Sequence, residues 1–425
     1  METIAPRPPS RRQRRIIIRV AAIAFGLLAA LLAAETALHW LPKLIPANVL
    51  LRYPPEGVEF FVPGLLDRTP LSAVPLPTGR RPYQGPPPHD ASTQSSWRGI
   101  ASGQGETETL ILPADKDGLP NVASYEHPDV VLVGDSFAAL AGQTQPTGLV
   151  PSLEQKLDVK IYNLGIPGIG PIHESWLLRN MGLAKKPRAI VWFFYGGNDF
   201  QDTFYLQKSM ERGIATHGER RRDTRRPFWI LPAIVASWWS GPPSANKDEL
   251  PPFEMAGQEN RFTWFHPDKL RFLAMSEQMI QPSPAAAAIL QSLEEARNAA
   301  ADIGAEFLVV YIPSKEQVWL PYAELQPDLL VQYLEASALG VIPVPDAPDA
   351  AAALLRENSG ALENVCANWC ASQNVSYWSA TKCLRDEVAN GRQPYYRADS
   401  HWRAEGQIAC VEAIAVQLRK LGIGR

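Results

Sequence analysis

A serine hydroxyl becomes a useful nucleophile only when a base removes its proton, and a histidine oriented by a carboxylate suits that task. In this chain Ser136 stands in Gly134-Asp135-Ser136-Phe137, directly after a short apolar, β-branched run at 129–133. A strand-to-helix turn there exposes the hydroxyl and aims the following backbone amides at a developing oxyanion. A serine that merely caps a helix has the same local sequence. There are seven histidines, and an acid nearby in sequence singles out none of them. His127, His217 and His266 each have an acid two residues later, and His89 and His173 have one adjacent. His401 differs in that its acid, Asp399, comes two residues earlier, in Ala398-Asp399-Ser400-His401-Trp402, just ahead of a helix-forming stretch. In an extended segment, residues i and i+2 point to the same side. Asp399 can then hold the imidazole Nδ1–H while Nε2 faces the serine. The alternative is a helix capped by Asp399 with His401 turned to solvent. His39 belongs to the end of the N-terminal apolar segment, and His89, His217 and His266 fall in Pro-rich or inserted stretches. His127 precedes the first strand at the end away from Ser136, and His173 is a pocket-lining alternative. Position favours His401.

Acyl transfer also needs donors for a negatively charged oxygen. Two loops offer them: Asn163-Leu164-Gly165-Ile166-Pro167-Gly168 and Gly196-Gly197-Asn198-Asp199. Glycine permits close backbone approach, and an asparagine side chain supplies an NH₂ donor. Each loop alone is an ordinary turn. Both of them at the ends of successive strands, with a serine after the first strand, are much less commonplace.

The elements that must position these residues are readable from hydrophobic patterning. Runs at 129–133, 159–163, 188–195 (RAIVWFFY) and 305–312 (AEFLVVYI) predict four strands. Helix-compatible sequence lies at 148–156, 172–182, 284–303 and 404–421. Nearly continuous apolar strands alternating with helices predict a parallel sheet inside a three-layer α/β/α sandwich. Ligand sites in such folds lie beyond the carboxyl ends of the strands, where the candidate residues fall. Stretches 200–283 and 321–395 interrupt the pattern as insertions. The first contains a basic cluster followed by the Trp-rich run 228–239. That run reads as a lid, as a second membrane contact, or as a helix packed on the sheet.

At the start of the chain, Arg7, Arg11, Arg12, Arg14 and Arg15 precede an apolar run from 16 to 34 that only Arg19 interrupts. Such a helix reaches roughly 28 Å, about one bilayer core, and Arg19 can snorkel to the headgroups. The expected organisation is a basic cytoplasmic tail (1–15), a transmembrane anchor (16–41), a Pro-rich accessory region with short β pieces (42–117) and a catalytic domain (118–425). The positive-inside rule places the last two outside the cytoplasm. A cleaved signal peptide or a buried core helix are the competing readings. A formal net charge of −3 gives no sign of a nucleic-acid partner. All four cysteines (Cys366, Cys370, Cys383 and Cys410) lie in the last 60 residues, and their spacing fits no zinc pattern. One or two disulfides involving Cys383 at most, or buried free thiols, are both compatible with it.

Taken together, Gly134–Phe137, Asn163–Gly168, Gly196–Asp199 and Asp399–His401 resemble, in order, the four short blocks of the SGNH/GDSL hydrolase family. The resemblance spans about residues 118–421. It implies that fold, Ser136 as nucleophile, His401 and Asp399 as base and acid, Gly168 and Asn198 as oxyanion donors, and no metal or organic cofactor. One block departs from the family. The common form is D-x-x-H, whereas this chain has D-x-H followed by Trp402. That variant resembles bacterial proteins that O-acetylate exopolysaccharides such as alginate, although in the alginate proteins the D-x-H segment precedes the serine. The resemblance implies an esterase or O-acetyltransferase of the bacterial inner membrane with its catalytic domain in the periplasm. Its partners would be an ester or acylated polysaccharide and an integral-membrane acyl-donor protein. A non-catalytic subunit of a polysaccharide modification or export complex is the alternative.

Overall fold

In a computed structural model, the described residues are 11–40, 94–97, 108–111, 113, 115, 119–144, 146–166, 168–203, 250–257, 261–337, 339–340, 342–397 and 400–425. The run 228–239 and Asp399 lie outside them, as does most of 42–117. The chain divides into two compact units. The first includes helix α1 (Arg11–Trp40). Its segment Ile18–Ala37 is long and apolar enough to cross a membrane, with a mean hydropathy of 2.0.

The second unit is an α/β/α sandwich around a five-stranded parallel sheet. Its strands are β3 (Val130–Val133), β4 (Ile161–Asn163), β5 (Ala189–Tyr195), β8 (Glu306–Ile312) and β9 (Ser376–Ser379), in the order β4-β3-β5-β8-β9. Two antiparallel pairs stand apart from it: β1 (Gln94–Trp97) with β2 (Glu108–Ile111), and β6 (Phe253–Glu254) with β7 (Phe262–Thr263). Every residue of β3 and β5 is buried. Their β-branched and aromatic side chains fill both faces of the sheet, and burial of each is worth ~1.5–3 kcal/mol. The four strands predicted from apolar runs are present. The fifth, β9, lies within 321–395, which reads as an interruption in the sequence. Its residues Ser-Tyr-Trp-Ser are only half-buried, so this edge strand carries no continuous apolar run.

Parallel pairing through β3, β4, β5 and β8 puts their carboxyl ends on one edge. Helices α2 (Ser136–Ala141) and α3 (Leu149–Leu157) follow β3, and α4 (Pro171–Leu177) follows β4. After β5 come α5 (Pro267–Phe272) and α6 (Pro284–Asp302), the latter capped by Ser283, whose hydroxyl accepts from the Ala286 amide at 3.2 Å. The C-terminal part supplies α7 (Ala361–Ser372), α8 (Thr381–Ala389) and α9 (Ala404–Lys420). Helix α9 packs on α3, and the Gln407 side-chain oxygen accepts from the Leu149 amide at 3.1 Å. That contact ties the end of the chain to the elements around Ser136.

The loop after β4 sits against α2 with no room for a side chain at one point. A Cβ on Gly165 would lie 2.2 Å from the Ala139 amide nitrogen and 2.5 Å from the Ala138 carbonyl carbon. Both are backbone atoms, which do not swing aside. Gly165→Ala is therefore expected to destabilise the fold by ~3 kcal/mol through overpacking. Urea unfolding of the full chain in detergent measures it, and an unchanged midpoint would show that the two segments separate freely.

Candidate active site

Ser136 is the first residue of α2 and is buried. Asp135 caps that helix, its carboxylate accepting from the Phe137 amide at 2.8 Å. The cap fixes the turn, and with it the direction of the serine. His401 arrives from the loop between α8 and α9, and its Nε2 stands 2.7 Å from Ser136 Oγ. The second acceptor near this hydroxyl, Asp135 Oδ2, is 3.4 Å away. The contact with the imidazole is the shorter of the two.

The loop carrying His401 is pinned at several points. Tyr395 and Trp402 form an antiparallel bridge, the Tyr396 amide donates to the His401 carbonyl at 3.1 Å, and the Arg403 amide donates to the Pro394 carbonyl at 2.8 Å. The Arg397 carbonyl accepts from Lys315 Nζ at 2.7 Å, the Trp264 amide at 3.0 Å and Thr263 Oγ1 at 3.1 Å. Lys315 Nζ also donates to the Tyr396 carbonyl at 3.3 Å. Trp402 is buried against Phe137 and Phe193, with ring centroids 5.5 and 5.9 Å away. Phe137 stacks on Tyr195 at 3.8 Å and on the His401 ring at 5.2 Å. The imidazole thus lies on an aromatic platform built from the residue after the serine.

The two candidate oxyanion loops occupy the same edge. Asn163 is structural: its Nδ2 donates to the Ala138 carbonyl at 2.6 Å and its Oδ1 accepts from the Gly165 amide at 2.8 Å. Gly168 is exposed at φ +79°, and a Cβ there would meet nothing within 4 Å. Its backbone conformation, not crowding, is what favours glycine. Asn198 is half-buried, and its Nδ2 donates to Asp202 Oδ2 at 2.8 Å. The structure therefore brings Ser136 and His401 into direct contact and sets Gly168 and Asn198 on loops at the same sheet edge. His173 is buried on α4.

Sequence reading missed a group of buried acids beside the serine. Asp135, Glu174 and Asp199 are fully buried, and burial raises the carboxyl pKa of each. Mutual repulsion adds to the rise for Glu174 and Asp199, while the Phe137 amide, His401 and Lys269 counter it for Asp135. Asp202 is pushed up to about 7, first by burial and then by Asp135. Lys269, which also donates to Tyr195 Oη at 2.9 Å, offsets part of this charge. Among the described residues, no group of three or more His, Cys, Asp or Glu side chains is arranged to hold a metal ion. Asp135 and Asp199 sit in motifs that the sequence shows, Gly134–Phe137 and Gly196–Asp199. Glu174, Asp202, Lys269 and Lys315 sit in stretches with no local pattern.

The sequence matches no family model and no curated protein. Among solved structures the chain is similar to TesA, at 17% identity over 69% of this chain and 98% of that one, with a TM-score of 0.33. It is also similar to a catalytic mutant of Axe2, an acetylxylan esterase from Geobacillus stearothermophilus, at 12% identity over 69% and 93% of the two chains, with a TM-score of 0.35. A GDSL-like lipase from Bacteroides thetaiotaomicron matches at 8% identity over 68% and 87%, with a TM-score of 0.32.

Lys315 bonds the backbone of the loop that carries His401. Lys315→Met removes both clamps at nearly constant volume, and the rate at which a fluorophosphonate modifies Ser136 is expected to fall at least ~10-fold with unchanged circular dichroism. An unaltered rate would mean that the remaining pins hold the loop without Lys315. Asp202 gives a pH test. With its folded pKa near 7 and an ordinary value of 3.8, the folded chain keeps a proton that the unfolded chain loses between about pH 4 and 7. Its contribution is thus fully present at the acid end and is lost as pH rises through that window. The ceiling is about 4 kcal/mol, and solvent contact of this half-buried residue brings the expected value to roughly 1–2 kcal/mol. Asp202→Asn, which keeps an acceptor for Asn198, should gain stability over the parent between pH 5 and pH 8 in thermal melts. A constant difference across that range would place the proton elsewhere.

Proposed function

We propose that this chain is a serine esterase or acyltransferase that forms an acyl-enzyme on Ser136. The observation that carries the reading is the 2.7 Å contact between Ser136 Oγ and His401 Nε2, made by residues 265 positions apart. In the proposed reaction His401 takes the hydroxyl proton as Ser136 attacks an ester carbonyl. Asp399, two residues before the base, fixes the imidazole tautomer and stabilises the imidazolium. The backbone amide of Gly168 and the side-chain amide of Asn198 stabilise the tetrahedral oxyanion. Collapse expels the alcohol, protonated by His401, and leaves the acyl group on Ser136. A second hydroxyl, from water or from a sugar, then takes the acyl group by the same steps in reverse.

The substrate reading is an O-acyl group, most simply acetyl, on a cell-envelope or secreted polysaccharide. It is supported by the Asp-x-His-Trp form of the last block and by the apolar N-terminal helix. Basic residues before that helix favour an inner-membrane anchor with a cytoplasmic N-terminus and a periplasmic catalytic unit. Such an anchor would let an integral-membrane acyl donor hand its group to Ser136. A non-catalytic role in the same kind of assembly is disfavoured by an intact serine–histidine contact, which a scaffold does not need.

The test uses the full chain in detergent. A fluorophosphonate should label Ser136, with the label lost in Ser136→Ala while the fold persists. Turnover of an aryl acetate should fall by at least ~10³-fold in that variant. With an oligosaccharide acceptor present, acetylated sugar as the main product marks a transferase, and acetate alone marks an esterase. Labelling at another residue, or full turnover in Ser136→Ala, would defeat the proposal.

A further inference from the structure

The four cysteines fall into two pairs of different geometry. Cys366 and Cys370 are both buried on α7, one turn apart. Residues i and i+4 of a helix hold their Cβ atoms about 5–6 Å apart, whereas a disulfide needs about 3.5–4.5 Å. A regular helix therefore keeps this pair from bonding to each other. Cys383 and Cys410 lie on different helices, α8 and α9, which pack together. Their sulfurs are 3.2 Å apart. Side-chain torsions on two neighbouring helices need close that gap by only about 1 Å to reach the ~2.05 Å of a disulfide.

We propose that Cys383 and Cys410 form a disulfide that joins α8 to α9 and closes the segment carrying Asp399, His401 and Trp402. Cys410 is fully buried and Cys383 is half-buried, so an oxidant reaches Cys383 first. The oxidant is itself a disulfide, either a small molecule or a thiol–disulfide oxidoreductase. The Cys383 thiolate attacks one of its sulfurs, forms a mixed disulfide and releases one thiol. Cys410 then loses its proton and attacks the Cys383 sulfur, releasing the second thiol. Two cysteine thiols give up two electrons and two protons, and the reagent disulfide becomes two thiols. The order agrees with the Cys410 thiol, whose pKa is raised first by its contact with Cys383 and then by burial. Capping of Cys383 in the first step removes the larger of those two obstacles.

The position of the bond gives it a purpose. The loop between α8 and α9 delivers His401 to Ser136, and its two ends are held by backbone contacts at Pro394 and Arg403. A cross-link between the flanking helices restricts the unfolded chain across this segment and opposes splaying of the loop. Formation in the cell rests on the periplasmic reading above. The chemistry does not, and the test is arranged so that the two fail separately.

The full chain in detergent is equilibrated with oxidised glutathione, unfolded, alkylated, digested and analysed by mass spectrometry. The expected result is a cross-linked peptide pair containing Cys383 and Cys410, with Cys366 and Cys370 alkylated. Reduction should lower the melting temperature of the oxidised parent by about 5–10 °C, with no such effect on a Cys383→Ser, Cys410→Ser variant. Alkylation of all four cysteines, a stable glutathione adduct on Cys383, or a bridge with different partners would overturn the proposal. The comparison of reduced with oxidised parent keeps the test decisive if the variant does not fold. None of these readouts uses acyl transfer. A chain that is inert toward esters yet bridged overturns only the functional reading, and an active chain with four free thiols overturns only this one.

Discussion

The contact between Ser136 and His401 joins residues 265 positions apart, and most of the second unit is arranged so that it can form. Neither residue reaches the other by local structure. Ser136 is placed by the end of β3 and the Asp135 cap, and His401 by a loop that enters after the last strand. Parallel pairing brings the strand ends to one edge. The contact also needs α9 on α3, and the side-chain oxygen of Gln407 on the Leu149 amide is part of that docking. A slip of one residue in β3 against β5 would swap the faces its side chains occupy, because alternate residues face opposite sides of a sheet.

Burying acids beside the Ser136–His401 contact has an electrostatic consequence. Asp135, Glu174, Asp199 and Asp202 crowd the region beside the serine, and all four have raised pKa values for which burial is the first cause. Burial thus makes the charged form of each acid harder to hold. His401 and Lys269 lower the Asp135 pKa, and Lys269 lowers that of Asp202. The fold tolerates this because two of the carboxyls also do local structural work. Asp135 caps α2, and Asp199 accepts from the Tyr195 amide at 2.7 Å to close the turn after β5.

How much of this was legible in the sequence followed from how local each signal is. The runs at β3, β5 and β8 announced themselves because strands buried on both faces are almost purely apolar. Strand β9 did not, since a half-buried edge strand of two serines, a tyrosine and a tryptophan resembles a loop. Ser136 was recognisable from its turn, and His401 from the acid before it together with its place ahead of a helix. The role of Asp399 is a sequence reading, as that residue lies outside the described ones. Lys315 was invisible for a different reason. Lysine is normally a surface residue, and nothing local says that this one will be buried and used to hold a loop carbonyl.

The aromatic residue after the histidine can be understood on the same terms. Trp402 fills space beside Phe137 and Phe193, and its backbone bridges Tyr395. Between the two bridge partners lie residues 396–401, whose length is fixed at both ends: by the Tyr396 amide on the His401 carbonyl, and by the Arg403 amide on the Pro394 carbonyl. A residue added between Tyr396 and His401 would have to bulge out or push His401 off the ring of Phe137, on which it stacks at 5.2 Å. The fixed span from Tyr396 to His401 and the tryptophan after it therefore belong together. The indole anchors the loop from inside, and the closed bridge holds His401 at its distance from Ser136.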